Sequence, residues 1–336
     1  MTCPQTPEQL AEALRDFAAS NRTMLLGGAF SKNGLGGPAA PADETVSTCA
    51  MRRLIQYEPR DLTISVEAGM RFAELERILA ANRQMIPLDP GWEDSTVGGV
   101  IAANLSGPRR RLYGTARDMI IGMTFATLDG KLIRSGGMVV KNVAGLDMAK
   151  LMIGSFGTLA AIATVNFKLF PITGRRSFEM NFDTAAPAFA ERDRILRGVL
   201  QPAAIDIVNW PDGFRLLIEA AGNTAVLDRF ERELPGARVV DETAWREVLE
   251  FTPRFLQANP GGAVVPRMMK LTEMATAMEQ LRVPAIARAG SGVIYAHYSE
   301  NPPAPAWNGD FATMERIKEM FDRRRLLNRG RLYGRI

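Results

Sequence analysis

One histidine, His297, and two cysteines, Cys3 and Cys49, occur in the whole chain of 336 residues. Each scarcity excludes something. Neither cysteine has a metal-type neighbour, so an iron–sulfur cluster held within this chain would lack its ligands. One imidazole cannot give a metal two histidine ligands and also act as a general base. Two isolated thiols fit a reducing compartment, and a cytoplasmic location is expected. No run approaches the ~20 apolar residues that span a bilayer. The opening M-T-C-P-Q-T-P-E-Q-L has no basic segment followed by an apolar core, so no signal peptide is expected. Basic and aromatic residues do not interleave as in a nucleic-acid groove. The formal charge is only +4, and the triplets Arg109-Arg110-Arg111 and Arg323-Arg324-Arg325 read as solvated faces.

What is present is the composition of a soluble globular protein, 46% hydrophobic and 23% charged. The length implies two domains. Thr6-Pro7-Glu8 supplies the cap, first-turn proline and acidic residue of a helix start, and Leu10, Leu14 and Phe17 then share a face. Residues 23–26 read as a buried strand running into Gly27-Gly28. Residues 46–48 and 62–68 read as further strands, and 72–82 as a helix. After Pro171 the glycines thin out. Strand 178–182, helix 187–200, strands 205–208 and 214–219, helix 224–234 and strand 238–240 follow the β-α-β-β-α-β order of a ferredoxin-like layer. Helices 245–255 and 271–281, strand 292–298, a linker at 301–305 and helix 311–321 complete the chain.

The chemistry-bearing segments are rich in glycine. Gly27-Gly28-Ala29-Phe30-Ser31-Lys32 follows a strand. Successive N–H groups in such a turn form an anion-binding nest, and Ser31 adds a hydroxyl; the same residues would also make a plain turn. No G-x-G-x-x-G is present, so this is not a Rossmann fingerprint. From Ser95 onward come S-T-V-G-G-V-I-A-A-N-L-S-G-P-R-R, Y-G-T-A-R-D, V-K-N-V-A-G-L-D and G-S-F-G-T-L. Glycine lets backbone approach a ligand closely, having no Cβ and tolerating φ > 0. Repeated turns of this kind suggest one ligand embraced along its length.

The order of these motifs resembles the FAD-binding domain of the vanillyl-alcohol-oxidase, or PCMH, type. Gly107-Pro108-Arg109-Arg110 and Lys141-Asn142-Val143-Ala144-Gly145-Leu146-Asp147 narrow it to the FAD-binding subunits of glycolate oxidases. Those subunits accompany a larger homologous FAD subunit and an iron–sulfur subunit. The resemblance implies an α+β fold. A two-lobed PCMH-type FAD-binding domain would cover residues 1–172, with lobes 1–87 and 88–172. A reduced, ferredoxin-like cap would cover 173–305, and a C-terminal helix and tail, 306–336, would return toward the FAD domain.

The resemblance also implies FAD, held noncovalently because no histidine falls in the motifs. Gly27, Gly28, Ser31 and Lys32 would form the pyrophosphate loop. Relatives carry three consecutive glycines before Ser-Lys, and Ala29 and Phe30 stand in two of those places, so contacts there would shift by a residue. Ser95, Thr96, Gly98 and Gly99 would run beneath the isoalloxazine, with N–H groups reaching the ring edge, or form a β-turn packed on the core. Asn104 would hydrogen-bond the flavin or satisfy buried backbone. Ser106 and Gly114, in the adjoining turns, would bind the cofactor as well. Gly154, Gly157, Thr158 and Ile162 would close over the adenine, ribose and phosphate, with Thr158 donating to phosphate, or cap a helix. Arg117-Asp118 is expected as a structural ion pair and His297 as a structural strand residue. Arg109 or Arg110 offers a cation for a carboxylate.

Full-length 2-hydroxyacid dehydrogenases of the same superfamily hold a divalent metal with two histidines and a glutamate, and use histidine as base. One histidine cannot do this. The expected function is a flavin electron-transfer subunit of a glycolate or other 2-hydroxyacid dehydrogenase, serving a partner flavoprotein and an iron–sulfur subunit. The alternatives are a stand-alone FAD oxidoreductase of a small 2-hydroxy acid, and a scaffold with structural FAD. No catalytic residue or metal ligand is assigned.

Overall fold

The structure is a computed structural model and describes residues 1–139, 147–300 and 310–335. Positions 141–146 of the K-N-V-A-G-L-D motif and the expected linker at 301–305 lie outside the described residues.

Helix Pro7–Ala19 begins where its cap residues place it, with the Thr6 side chain accepting from the Gln9 N–H. Its face of Leu10, Leu14 and Ala18 packs on the parallel strands Met24–Gly27 and Glu44–Ser47. Ala126, Ala161 and Ala163 of a neighbouring sheet enter the same core, as do Leu326 and Leu327 from the C-terminal tail.

That neighbouring sheet is antiparallel and five-stranded, in the order Leu54–Glu58, Thr63–Glu67, Ala161–Lys168, Ile120–Ala126, Leu132–Gly136. Two strands come from before residue 87 and three from after it, so the expected lobe boundary at 87 does not divide the sheets. Every residue of Thr63–Glu67 is buried. A strand of that kind needs partners on both edges and cover on both faces. Helix Phe72–Ala80 covers one face with Phe72, Leu75 and Leu79, against Phe125, Val165 and Phe167.

The cap is one antiparallel sheet. Strands Gly174–Phe182, Ala204–Val208, Phe214–Gly222 and Arg238–Val240 lie with the fourth beside the first, then the third, then the second. This is the ferredoxin-like arrangement, with helices Ala185–Arg197 and Thr224–Glu233 packed into its core. Three further strands, Ala285–Arg288, Val293–Tyr298 and Ala263–Met268, extend the sheet to seven. The first and last of these were not expected. One is alanine-rich, a poor strand signal. The other contains Pro266, which a sheet tolerates on the edge strand it occupies here.

The tail ties the two ends of the chain together. After helix Phe311–Asp322, the Met24 N–H donates to Leu326 O at 2.7 Å and the Asn328 N–H to Met24 O at 2.9 Å. Buried Lys318 fixes the turn: its Nζ donates to Asp322 Oδ2 at 2.6 Å, Thr158 O at 2.7 Å and Leu327 O at 3.1 Å.

Candidate functional site

A cavity opens between the loop after strand Met24–Gly27, the start of helix Val97–Ala102, and the turn at Phe156-Gly157. Gly27, Gly28, Ser31, Lys32, Thr96, Gly98, Gly99, Gly157 and Ile162 all line it. The other expected residues stand elsewhere. Ser95 is buried behind Lys32 and accepts from its Nζ at 2.9 Å. Asn104 and Ser106 line a second cavity. Gly154 lies against Asn104, and Gly114 ends the short helix Arg110–Tyr113 beside Asp118.

Four expectations about individual groups are corrected by their hydrogen bonds. The Gly98 N–H donates to Ala68 O at 2.7 Å and the Gly99 N–H to Thr96 Oγ1 at 3.3 Å, so neither is free for a ring edge. The segment is a short helix capped by Thr96, not a β-turn. The Thr158 hydroxyl donates to Ser155 O at 2.7 Å, closing a turn instead of facing phosphate. Asp118 accepts from the Thr115 N–H at 2.8 Å in a capping box and forms no ion pair with Arg117. What the glycines permit is close packing of the backbone on neighbouring segments. A Cβ on Gly28 would reach within 2.8 Å of Thr96 Cγ2, and one on Gly98 within 2.9 Å of Ala68 Cβ. Gly157 has φ +68°, a conformation that costs other residues energy.

The ionisable residues lining this cavity are both cations. Lys32 Nζ donates to the Ser31 and Ser95 hydroxyls and has no carboxylate partner among the described residues. Burial, helped by the charge of Arg71, holds its pKa down to about 8. Arg331 is the other, and its position in the sequence gave no sign of this role beyond an N-R-G-R tail. It is 4% exposed. Its Nη1 donates to the carbonyls of Asn33 at 2.8 Å, Gly37 at 3.0 Å and Leu35 at 3.3 Å, and its Nη2 to Asn33 Oδ1 at 3.2 Å.

A second cavity adjoins the first, sharing Ala103 and Phe156 with it. Asn104–Gly107 forms one wall, the cap residues Val264, Pro266, Arg288 and Tyr295 another, and the tail residues Leu332 and Tyr333 a third. Here the charges are compensated. Arg288 is paired with fully buried Asp206, whose carboxyl burial pushes up to about 6. Arg109 is likewise committed. Its Nη1 donates to Asp89 Oδ1 at 2.6 Å, and its Nε and Nη2 grip the Glu219 carboxylate at 2.8 and 3.0 Å. It joins the FAD-side loops to the cap and has no fork left for a ligand carboxylate. Burial pushes the Asp89 carboxyl up against the pull of Arg109.

His297 lines neither cavity. It is 0% exposed. Its ring bonds to Thr252 Oγ1 at 2.9 Å and Pro284 O at 3.2 Å, edge-on to Phe251 and Phe255. Burial takes its pKa down to about 4, so it is neutral at physiological pH.

Residues 1–136 match the family model of the FAD binding domain. Glycolate oxidase subunit GlcE of Escherichia coli is 27% identical, with 98% of each chain covered. The first 136 residues are thus similar to an FAD binding domain. A D-lactate dehydrogenase of Archaeoglobus fulgidus is 35% identical over 140 residues, which cover 41% of this chain and 31% of that one. The PCMH-type likeness extends to the whole fold. An alkyldihydroxyacetonephosphate synthase superposes with a TM-score of 0.74 at 16% identity, covering 97% of this chain and 75% of the other. The 4-ethylphenol oxidase from Gulosibacter chungangensis gives 0.70 at 13%, covering 98% and 88%. The chain thus has the α+β fold of these enzymes. No helix among the described residues is long and apolar enough to cross a membrane.

Proposed function

We propose that this chain is the FAD-binding subunit of a multi-subunit glycolate or 2-hydroxyacid dehydrogenase. In this reading a larger partner flavoprotein oxidises the substrate in the cytoplasm, and this chain passes electrons toward an iron–sulfur subunit. The observation that carries it is the place of His297. The one imidazole in the chain is neutral and fully buried in the cap behind the wall of the second cavity, where it bonds Thr252, and it lines neither cavity. Substrate oxidation needs a positioned base, and general-base help alone contributes typically 10²–10⁴-fold. Near-full-length likeness to the glycolate oxidase subunit supports the same assignment.

The first cavity fits FAD by the chemistry of its donors. Among the described residues it is lined by two cations and no acid, and Gly28 lets the loop backbone pack directly on Thr96 in its wall. Lys32 would face the diphosphate, and Ser95 would orient Lys32 from behind. The flavin would extend past Ala103 and Phe156 toward the second cavity. Bound FAD would supply the redox chemistry, and no histidine lines the first cavity to link it covalently.

Arg288 in the wall of the second cavity, although paired with Asp206, is the cation that a stand-alone oxidoreductase of a small 2-hydroxy acid would use. Anaerobic flavin bleaching by glycolate and by D-lactate separates the two readings. Bleaching is expected only in the reconstituted complex. Rapid stoichiometric bleaching of the lone chain would replace the subunit reading with the stand-alone one.

A further inference from the structure

Arg331 comes from the last turn of the tail, yet it lines a cavity built from residues 26–33, 96–103 and 156–162. Its surroundings satisfy the hydrogen bonds of its Nη atoms but not its charge. The Nη atoms donate to carbonyl and amide oxygens, and no carboxylate pairs with it among the described residues. Its Nε is buried and has no acceptor. A guanidinium does not shed its proton when buried, as an ammonium can. Lys32, across the same cavity, relieves its own burial by a lowered pKa; Arg331 has no such outlet. A buried charge without a counter-charge is costly, so a cavity lined, among the described residues, by two cations and no acid is complementary to a doubly charged anion. The second cavity makes the contrast, because each cation near it already holds a carboxylate.

Arg331 is also held firmly in place. Asn328 and Lys318 fix the chain before it, and its Nη1 gathers the carbonyls of Asn33, Leu35 and Gly37 directly after Lys32. A guanidinium set this way orders the loop that carries Lys32 and leaves its Nε edge without a partner.

We propose that Arg331 is the second anchor of a diphosphate in this cavity, so that the C-terminal tail completes the cofactor site from the far end of the sequence. This rests on the reading of the cavity as the FAD site. Diphosphate is the recognised chemistry, and FAD and other adenine diphosphates share it.

The test is titration of the full-length apo chain with FAD, ADP and riboflavin, for wild type, Arg331→Gln and Arg331→Lys, with the thermal midpoint of each apo protein as a folding control. In Arg331→Gln, FAD and ADP are expected to weaken together by roughly ten- to a hundredfold, with riboflavin affinity unchanged. Equal losses for all three ligands would show a purely structural residue and overturn the proposal. So would unchanged FAD affinity, or a loss for FAD that ADP does not share. If Arg331→Gln does not fold, Arg331→Lys decides by the same comparison. A wild-type chain that binds ADP but not FAD would sink the flavin reading and leave the diphosphate anchor standing. A wild-type chain that binds neither would overturn both.

Discussion

Asn328 grips Leu26 from 302 positions away: its Oδ1 accepts from the Leu26 N–H at 2.7 Å and its Nδ2 donates to Leu26 O at 2.9 Å. The same Nδ2 donates to Phe156 O at 2.7 Å. One buried amide therefore holds the strand that launches the Gly27–Lys32 loop against the turn at Phe156-Gly157. A Cβ on Gly157 would stand 2.7 Å from that Nδ2, which ties the glycine to the amide.

Asn328→Ala should therefore destabilise the protein by about 2–4 kcal/mol, because three buried backbone groups lose their partner. FAD affinity should fall with it, since two walls of the first cavity come apart. Urea denaturation of the apo chain and a flavin titration measure the two effects. An unchanged unfolding midpoint would contradict the role assigned to this side chain.

Lys32 makes cofactor binding depend on pH. Its pKa is about 8 in the folded apo chain against an ordinary 10.5. Between those values the unfolded chain binds more protons than the folded one, so apo stability should rise as pH climbs through that window. A bound diphosphate favours the charged lysine and raises its pKa again. FAD binding above pH 8 should therefore take up a proton, and affinity should weaken with rising pH by up to about tenfold per unit. In Lys32→Met this dependence should vanish. A wild-type affinity that stays flat from neutral to strongly alkaline pH would count against Lys32 facing the phosphates.

Arg109 is the one cation in hydrogen-bond contact with both Asp89 and Glu219. Arg109→Met should cost about 3 kcal/mol, the scale of breaking a buried pair and leaving charge behind. The loss should be larger at pH 8 than at pH 5, because Asp89, already pushed up by burial, must then be ionised without its partner. Adding Glu219→Gln to Arg109→Met should recover part of the stability. Denaturation midpoints of the single and double variants at both pH values provide the check, and a single variant as stable as wild type would remove Arg109 as the tie between cap and FAD side.

Much of the local order was legible before any fold was known. Helix Pro7–Ala19 carries its own cap, and the β-α-β-β-α-β run of the cap follows from residue periodicity over a few positions at a time. The strands at Ala263–Met268 and Ala285–Arg288 were hidden because alanine and proline are weak strand formers, and sheet neighbours overrode them. Likewise, no local signal announced that Thr63–Glu67 would pair with Ala161–Lys168.

By itself the sequence determined where the glycine-rich segments fall and that one imidazole cannot build a metal site and a base. Both follow from residue identity, since glycine lacks a Cβ wherever it falls and a missing side chain cannot be supplied by folding. Tertiary structure alone decided how the polar groups are spent. Gly98, Gly99 and Thr158 turned out to be committed to neighbours. Arg109 was claimed by two carboxylates from different parts of the chain. Arg331 reached a cavity whose other walls lie some three hundred residues earlier or more than a hundred. Hydrogen bonds and charges are satisfied by whichever group arrives within about 3 Å, and that distance is set by which apolar faces bury one another, not by spacing along the chain.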